Sequence, residues 1–452
     1  MIQPQRVQSL NDKEIRKGAY VLYWMQQSQR AECNHALEYA LRQADELKLP
    51  VVVVFGITQK FPEANMRHYA FMLEGLLETR RALSRRGIQL VIKLQPPPKA
   101  ALALGRDAAL IVVDRGYLRL QREWRDNVGE QARCKVVQVE SDVVVPVEVV
   151  SDKEEYAART IRKKIHDNLD PFLKPLKEST PKRDSIDLKL DGLKADSVDS
   201  ILGKLRIDRT VERVTSFIGG ASNAERLLAE FVSGKLADYA DGRNEPAKNR
   251  VSHMSPYLHF GQISPLAIAL RVLKTKGAAK KHREAYIEEL VVRRELSMNF
   301  CFYNPRYDSY DGLPEWARKT LAAQKRDKRE YGYTLRELER GKTHDPYWNA
   351  AQKEMVLTGK MHNYMRMYWG KKILEWSATP EKAFENAIYL NNKYELDGRD
   401  PNSFTGVAWC FGKHDRPWSK RPIFGTVRYM SAGGLERKFD MEAYIRKVES
   451  IE

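Results

Sequence analysis

The chain has 452 residues, 42% of them hydrophobic and 30% charged, which describes a soluble globular protein too long for one ordinary core. No apolar run reaches the length of a membrane span, and residues 1–18 are too polar for a secretory signal. Lys plus Arg outnumber Asp plus Glu by 77 to 60, a formal net charge of +17, which favours a polyanionic partner, nucleic acid before membrane.

From Gly18 to Ser141 short apolar runs alternate with amphipathic ones. Strands are predicted at 20–24, 51–56, 89–94, 110–114 and 136–139, with helices such as 34–48 and 67–86 between them. Continuous Val-rich strands separated by helices predict a doubly wound parallel sheet, a fold that binds ligands at the carboxyl ends of its strands. The first strand runs into Trp24-Met25-Gln26-Gln27-Ser28-Gln29-Arg30 without a glycine fingerprint, which argues against a nicotinamide cofactor held in the usual dinucleotide manner. Cys33, Cys134, Cys301 and Cys410 are scattered; their spacing suits neither a metal site nor a CxxC pair, and they read as reduced thiols of a cytosolic protein.

From Asp142 to about Ile218, Lys and Asp crowd together and aromatic content falls, so a linker with helical pieces is expected. Residues 156–164 within it form a basic amphipathic turn able to lie on either domain. Residues 223–387 read as mainly helical, with periodic segments at 224–239, 266–275, 283–301, 314–323, 348–357 and 380–392. After Asp397 the chain is richer in Gly, Pro and aromatics, and a loop-like segment ending in a short helix near 441–448 is expected. The architecture expected is α/β + all-α: an α/β domain over 1–145, a linker over 146–221 and a helical domain over 222–452.

Five of the eight tryptophans lie between Trp348 and Trp418, with Arg366, Asn391, Asp397 and Asp400 threaded among them. The helix-like run 362–377 puts Trp369 and Trp376 two turns apart on one face, roughly 10 Å of rise and within reach of electron hopping. Arg366 shares that face; a plain aromatic core is the other reading. Ser252 and Ser255 precede a proline-started helix, where hydroxyls and free amides suit a pyrophosphate or simply cap the helix. Arg243 and Asn244 offer a cation and an amide to a phosphate or a base. Glu289 lies four residues before Arg293: either a surface salt bridge or, if buried beside a ligand, a desolvated carboxyl able to donate a hydrogen bond. Arg366 and Asp397 are a candidate buried ion pair under a heterocycle. Trp409 and Trp418, with Arg428, suggest a stacking platform with a phosphate clamp. No HExxH, zinc ribbon, GxSxG elbow or Cys–His pattern supports hydrolytic or metal catalysis.

Longer stretches carry more. Ser255-Pro256-Tyr257-Leu258-His259-Phe260-Gly261-Gln262-Ile263-Ser264, Arg294-Glu295-Leu296 with Asn299-Phe300-Cys301, Gly359-Lys360-Met361-His362, Arg366-Met367-Tyr368-Trp369 and Tyr394-Glu395-Leu396-Asp397-Gly398-Arg399-Asp400-Pro401-Asn402 follow in that order. Together they make nearly the whole chain resemble the class II cyclobutane pyrimidine dimer photolyases of the photolyase/cryptochrome superfamily.

The resemblance implies a bent FAD in the helical domain. Tyr239, Ser252, Met254 and Ser255 would hold its phosphates and ribityl chain, and Arg294, Asn299, Arg366 and Asp397 would surround the flavin. Asn391 would face flavin N5, where an uncharged amide favours the reduced forms. It implies catalysis by light, in which excited FADH⁻ gives an electron to a cyclobutane dimer flipped out of the duplex, the bridging bonds break and the electron returns. Glu289 matches the glutamate that hydrogen-bonds the damaged bases. Met367, Trp409 and Trp418 match residues lining the dimer pocket, and Arg243, Asn244 and Arg428 match contacts near the lesion and its backbone. Trp369, Trp348 and Trp376 match the chain that photoreduces oxidised FAD. The α/β domain would seat an antenna chromophore, deazaflavin or folate. Arg293 stands where other photolyase classes carry Trp, which fits class II. The partner implied is UV-damaged DNA, met by a monomer in the cytoplasm (nucleoid-associated in a prokaryote), with no membrane involved. A cryptochrome-like flavin photoreceptor without repair activity is the alternative, and a light-independent nucleic-acid-binding protein on a degenerate flavin fold is a third reading.

Overall fold

In the computed structural model, which describes residues 2–194 and 196–451, the Val-rich runs pair into one six-stranded sheet. Its strands are β1 (Val7–Ser9), β2 (Tyr20–Trp24), β3 (Val51–Gly56), β4 (Gln89–Lys93), β5 (Ala108–Asp114) and β6 (Lys135–Val139), in the order β1-β6-β5-β2-β3-β4. The five strands expected from the sequence are mutually parallel. The sixth, β1, was not foreseen: it adds antiparallel to β6 as a three-residue, largely solvent-facing edge with no apolar run to announce it. Helices α1 (His35–Leu47) and α2 (Met66–Arg85) cover one face, and α3 (Pro97–Gly105) and α4 (Arg119–Gln131) the other. Burial on both faces is why β2, β3 and β5 read as unbroken apolar runs.

The segment expected as a linker is docked at both ends. Its first half is α5 (Ala158–Phe172), whose Ile161, Ile165 and Phe172 pack with Ala224, Leu228 and Phe231 in the helical half. Farther along, Ser185 donates to Val51 O at 2.6 Å, Leu193 N donates to Ile92 O at 2.7 Å, and Leu188 and Leu190 pack on the sheet's core.

The helical half includes α6 (Ser255–His259), α7 (Arg294–Tyr303), α8 (Pro346–Thr358), α9 (Asn363–Trp376), α10 (Pro380–Tyr394), α11 (Pro401–Cys410) and α12 (Met441–Glu449), with further helices among them. Two expected helices are interrupted. The 224–239 run passes through a π-helical turn at Phe231–Lys235, and the 283–301 run through another at Glu288–Arg293, which shifts the side chains that follow to a new face. The segment expected to be loop-like after Asp397 contains α11, capped by Asp400, whose carboxylate accepts from Asn402 N at 2.8 Å. Nearly every α11 residue is buried or half-buried, so no apolar stripe marks it as a helix. Among the described residues no helix is long and apolar enough to cross a membrane.

Glu295 on α7 ties the two halves together, accepting from Val144 N at 2.5 Å and Val145 N at 3.3 Å. Burial pushes its carboxyl up to about 8, against the pull of those amides and of Arg294. The folded value exceeds the unfolded one, so the associated stabilisation is fully present below about pH 4.5 and is lost as pH rises through about 8. Thermal melts should therefore show the parent protein losing more than about 1 kcal/mol between about pH 5 and about pH 9, and Glu295→Gln losing less. Equal slopes in the two proteins would contradict the assignment.

Candidate active site

The N-terminus of α9 is fixed by His362, whose ring Nδ1 accepts from Tyr364 N at 3.2 Å. One turn on, Arg366 meets two carboxylates just beyond the end of α10. Its Nη2 lies 2.7 Å from Asp397 and 2.6 Å from Glu395, and its Nε donates to Glu395 at 3.0 Å. All three side chains are at most 15% exposed. Burial alone would raise Asp397, but Arg366, Lys360 and a hydrogen bond from Ser255 outweigh it and hold this carboxyl well below the usual range. For Glu395 burial wins, and its carboxyl rises to about 7 despite Arg366. The foreseen Arg366–Asp397 pair is thus a triad. Glu395 was missed although it stands in one of the quoted stretches; one guanidinium facing two nearby acids was the available signal. Lys360 was missed too. Its Nζ donates to Ser255 Oγ at 2.7 Å, which puts a cation beside the serine expected at the phosphates.

Asn391, 1% exposed on α10, donates from Nδ2 to Asn392 Oδ1 at 3.0 Å and to Ser403 Oγ at 2.6 Å. Its Oδ1 is buried without a hydrogen-bond partner, a costly state unless a ligand donates there. A reduced isoalloxazine ring carries an N–H at N5 that can meet such an acceptor, so the residues present fit the flavin that the resemblance implies. Of the residues expected at its phosphates and ribityl chain, Tyr239 packs edge-on against Phe231 and Tyr286, and Ser252 Oγ accepts from the Tyr286 hydroxyl at 3.0 Å. Met254 is buried immediately before α6, and Ser255 opens it.

Two further residues expected beside the flavin also bind backbone. Asn299 accepts from Glu155 N at 2.7 Å and donates to Lys153 O at 2.9 Å, so both of its polar ends serve the segment before α5. Arg294 is buried and donates to Asp142 O at 2.5 Å.

The three tryptophans stack in a different order from the one read along the helix. Trp348 of α8 stacks on Trp369 of α9 at 6.4 Å with planes 6° apart, and meets Trp376 edge-on at 5.6 Å. Trp348 therefore bridges the two α9 rings. Its indole N–H donates to the Trp369 carbonyl at 3.0 Å, and that of Trp369 donates to Gln352 at 2.8 Å. All three rings are at most 3% exposed.

Glu289 adopts neither of the two arrangements that its spacing suggested. It does not pair with Arg293, which meets Glu288 at 3.2 Å across the π-helical turn, and it is not buried. One-third exposed, Glu289 pairs with Arg243 at 2.6 Å. Burial would lower the Arg243 guanidinium, but Glu289 beside it more than compensates and raises it. Asn244 next to it is exposed. Arg428 lies 5.7 Å from the Trp409 ring and 4.8 Å from that of Trp418, joining the two indoles as the sequence suggested. Trp409 is half-buried at the end of α11 and Trp418 is 40% exposed. Met367, half-buried on α9, accepts at its carbonyl from Cys410 Sγ at 3.7 Å.

A separate cleft of about 760 Å³, counting space open to solvent, lies at the carboxyl ends of β2 and β3. Gln26, Gln27, Phe55 and Trp124 line it from the α/β half, and His259 and Arg399 from the helical half. Asp114 at the end of β5 shapes its wall: the carboxylate accepts from the amides of Gln26, Gln27 and Ser28. This is the strand-end position expected for a ligand of such a sheet.

Comparison with known proteins gives a consistent result. The family described as DNA photolyase matches residues 21–182. The chain is 52% identical over its whole length to a deoxyribodipyrimidine photo-lyase of Methanothermobacter thermautotrophicus, covering 99% of that protein. It is 41% identical to one of Potorous tridactylus, over 94% of this chain and 81% of the relative. A crystal structure of an archaeal photolyase from Sulfolobus tokodaii with two FAD molecules superposes with a TM-score of 0.70 over 94% of this chain and 89% of that one, at 19% identity.

Proposed function

The chain belongs to the DNA photolyase family, and we propose that it is a class II enzyme repairing cyclobutane pyrimidine dimers in UV-damaged DNA with light. The observation that carries the reading is the loading of α9. That one helix presents Arg366 to a buried carboxylate pair, Trp369 to a stacked relay, and Lys371 to the Trp409 platform.

Reduced FAD, held by these residues, would supply the light-driven one-electron chemistry that opening a cyclobutane dimer needs. The protein binds and orients. Arg366, with Asp397 and Glu395, anchors the cofactor site; Asn391 Oδ1 accepts a hydrogen bond from a ring N–H; Lys360, Ser255 and Ser252 offer donors to phosphate oxygens. Trp409 and Trp418 stack on flipped-out bases, with Arg428 between them to meet a phosphate. Paired with Arg243, Glu289 accepts hydrogen bonds from base N–H groups; donating one to the dimer requires Arg243 to turn to the DNA backbone first. Trp369, Trp348 and Trp376 carry electrons inward to restore the reduced cofactor. The strand-end cleft is the seat for a second, light-collecting chromophore. The enzyme acts as a monomer in the compartment that holds the DNA, and the charge of +17 draws it to the duplex.

Photoreversal of a defined thymine dimer in duplex DNA, with chemically reduced protein in blue-light and dark arms, tests the reading. Intact thymines should return only in the light. Glu289→Ala should slow the return by about tenfold to a hundredfold, the cost of a lost charge-assisted hydrogen bond. Tight flavin binding with no repair in either arm would make the protein a photoreceptor instead.

A further inference from the structure

Lys371 on α9 is fully buried. Its neighbour Lys372 pairs with Glu375 at 2.6 Å, whereas Lys371 has no carboxylate within ion-pair distance among the described residues. Its Nζ donates to the Cys410 carbonyl at 2.6 Å, which caps the end of α11. A neutral donor would serve that bond as well, so capping does not account for a buried charge, which is costly to desolvate. The same Nζ lies 5.1 Å from the centre of the Trp409 ring, and Arg428 stands 5.7 Å from it. Trp409 therefore carries two cations, one from α9 and one from the loop that follows α11. The relay rings are arranged differently: the indole N–H groups of Trp348 and Trp369 donate to a carbonyl and to a neutral amide, contacts that favour positive charge on the indole. Lys372 lies 5.9 Å from Trp376 but has Glu375 as its counter-ion.

We propose that Lys371 is a positioning residue that holds Trp409 at the end of α11 and, by its charge, makes that indole a poor electron donor. One-electron oxidation is thereby confined to Trp369, Trp348 and Trp376 and kept out of the wall against which the substrate lies. The inference rests on the placement of Trp409 in the dimer pocket given above. In the disfavoured step one electron passes from the Trp409 indole to a one-electron photo-oxidant, and the oxidised ring then releases its Nε1 proton to water. A cation against the ring opposes the first transfer, because it brings two positive charges together where water is largely excluded.

Burial brings the Lys371 ammonium down to about 8, with Cys410 and Asp415 acting to raise it and Arg428 to lower it. The Cys410 thiol is itself pushed up by burial, to about 11, and stays protonated over the range that discharges Lys371. The charge on Lys371 is thus present below about pH 8 and lost above it.

The test uses the holoenzyme, illuminated briefly with ruthenium tris-bipyridine as photo-oxidant and persulfate as final electron acceptor. Mass spectrometry then gives the ratio of oxidised Trp409 to oxidised Trp418. In the parent protein the ratio should rise about threefold to tenfold between about pH 7 and about pH 9.5, the range that a cation–π contact supports. Lys371→Met should be high at both pH values and Lys371→Arg low at both. A ratio that ignores pH in the parent protein overturns the proposal, and that arm needs no variant to fold. A rise of the same size in Lys371→Arg also overturns it, since the titrating group would then be another. Dimer-containing DNA added in the dark tests the pocket placement separately. Failure to shield Trp409 would remove that placement while leaving the effect of Lys371 on the ring measurable.

Discussion

Arg366→Leu is expected to purify without flavin and to unfold well below the parent protein. The guanidinium serves two carboxylates at once, through Nε and Nη2, in a site nearly closed to water. Removing it leaves Asp397 with Lys360 as its chief remaining cation and Glu395 without the group that opposes its burial. Breaking a buried ion pair from one side costs roughly 3–5 kcal/mol, because the surviving charge stays desolvated. Arg366→Lys keeps the charge but cannot reach both acids in the same geometry, so it should fall between the two. The ratio of flavin to protein absorbance, measured beside a thermal melt, checks both parts. Full flavin occupancy in Arg366→Leu would remove the triad from the cofactor site.

Trp348→Phe should separate the two light reactions. Trp348 stands between Trp369 and Trp376, and phenylalanine is far harder to oxidise than tryptophan. Photoreduction of the oxidised cofactor should slow by at least about tenfold, the factor that ~1.4 kcal/mol of added barrier produces. Protein reduced chemically beforehand should still repair dimers at the parent rate, because a cofactor that is already reduced needs no electron from these tryptophans. Transient absorption reads the first quantity and dimer reversal the second. Unchanged photoreduction would mean that electrons reach the cofactor by another route. The substitution also removes the indole N–H that holds the Trp369 carbonyl, so a modest loss of stability, about 1 kcal/mol, is expected with it.

How much of this was legible beforehand depended on the range of the interaction. The buried strands announced themselves because burial on both faces demands unbroken Val and Ile, a local property; β2 and β3 have the bounds read from the sequence. The three-residue β1, with one half-buried and two exposed residues, had no such signature. Helix α11 was hidden for the opposite reason, its burial all round removing the periodicity by which helices are recognised. The partners of charged side chains were harder. Glu289 looked paired with Arg293 at helical spacing, but the π-helical turn changed the register, and its partner proved to be Arg243, 46 residues away.

The sequence by itself determined what local chemistry dictates: a parallel sheet followed by helices, a surplus of positive charge, and the residue types from which the site is made. The ordered matches that placed the chain beside photolyases lay in the text as well, since they are strings of neighbours. Only the tertiary structure decided which of those residues meet. It added Glu395 to the pair at Arg366, set Trp348 between two rings of another helix, turned Asn299 toward Lys153 and Glu155, and pressed an uncompensated Lys371 against Trp409. Backbone periodicity is set over a few residues, whereas ion pairing, ring stacking and desolvation depend on side chains that the fold brings together from tens of residues apart.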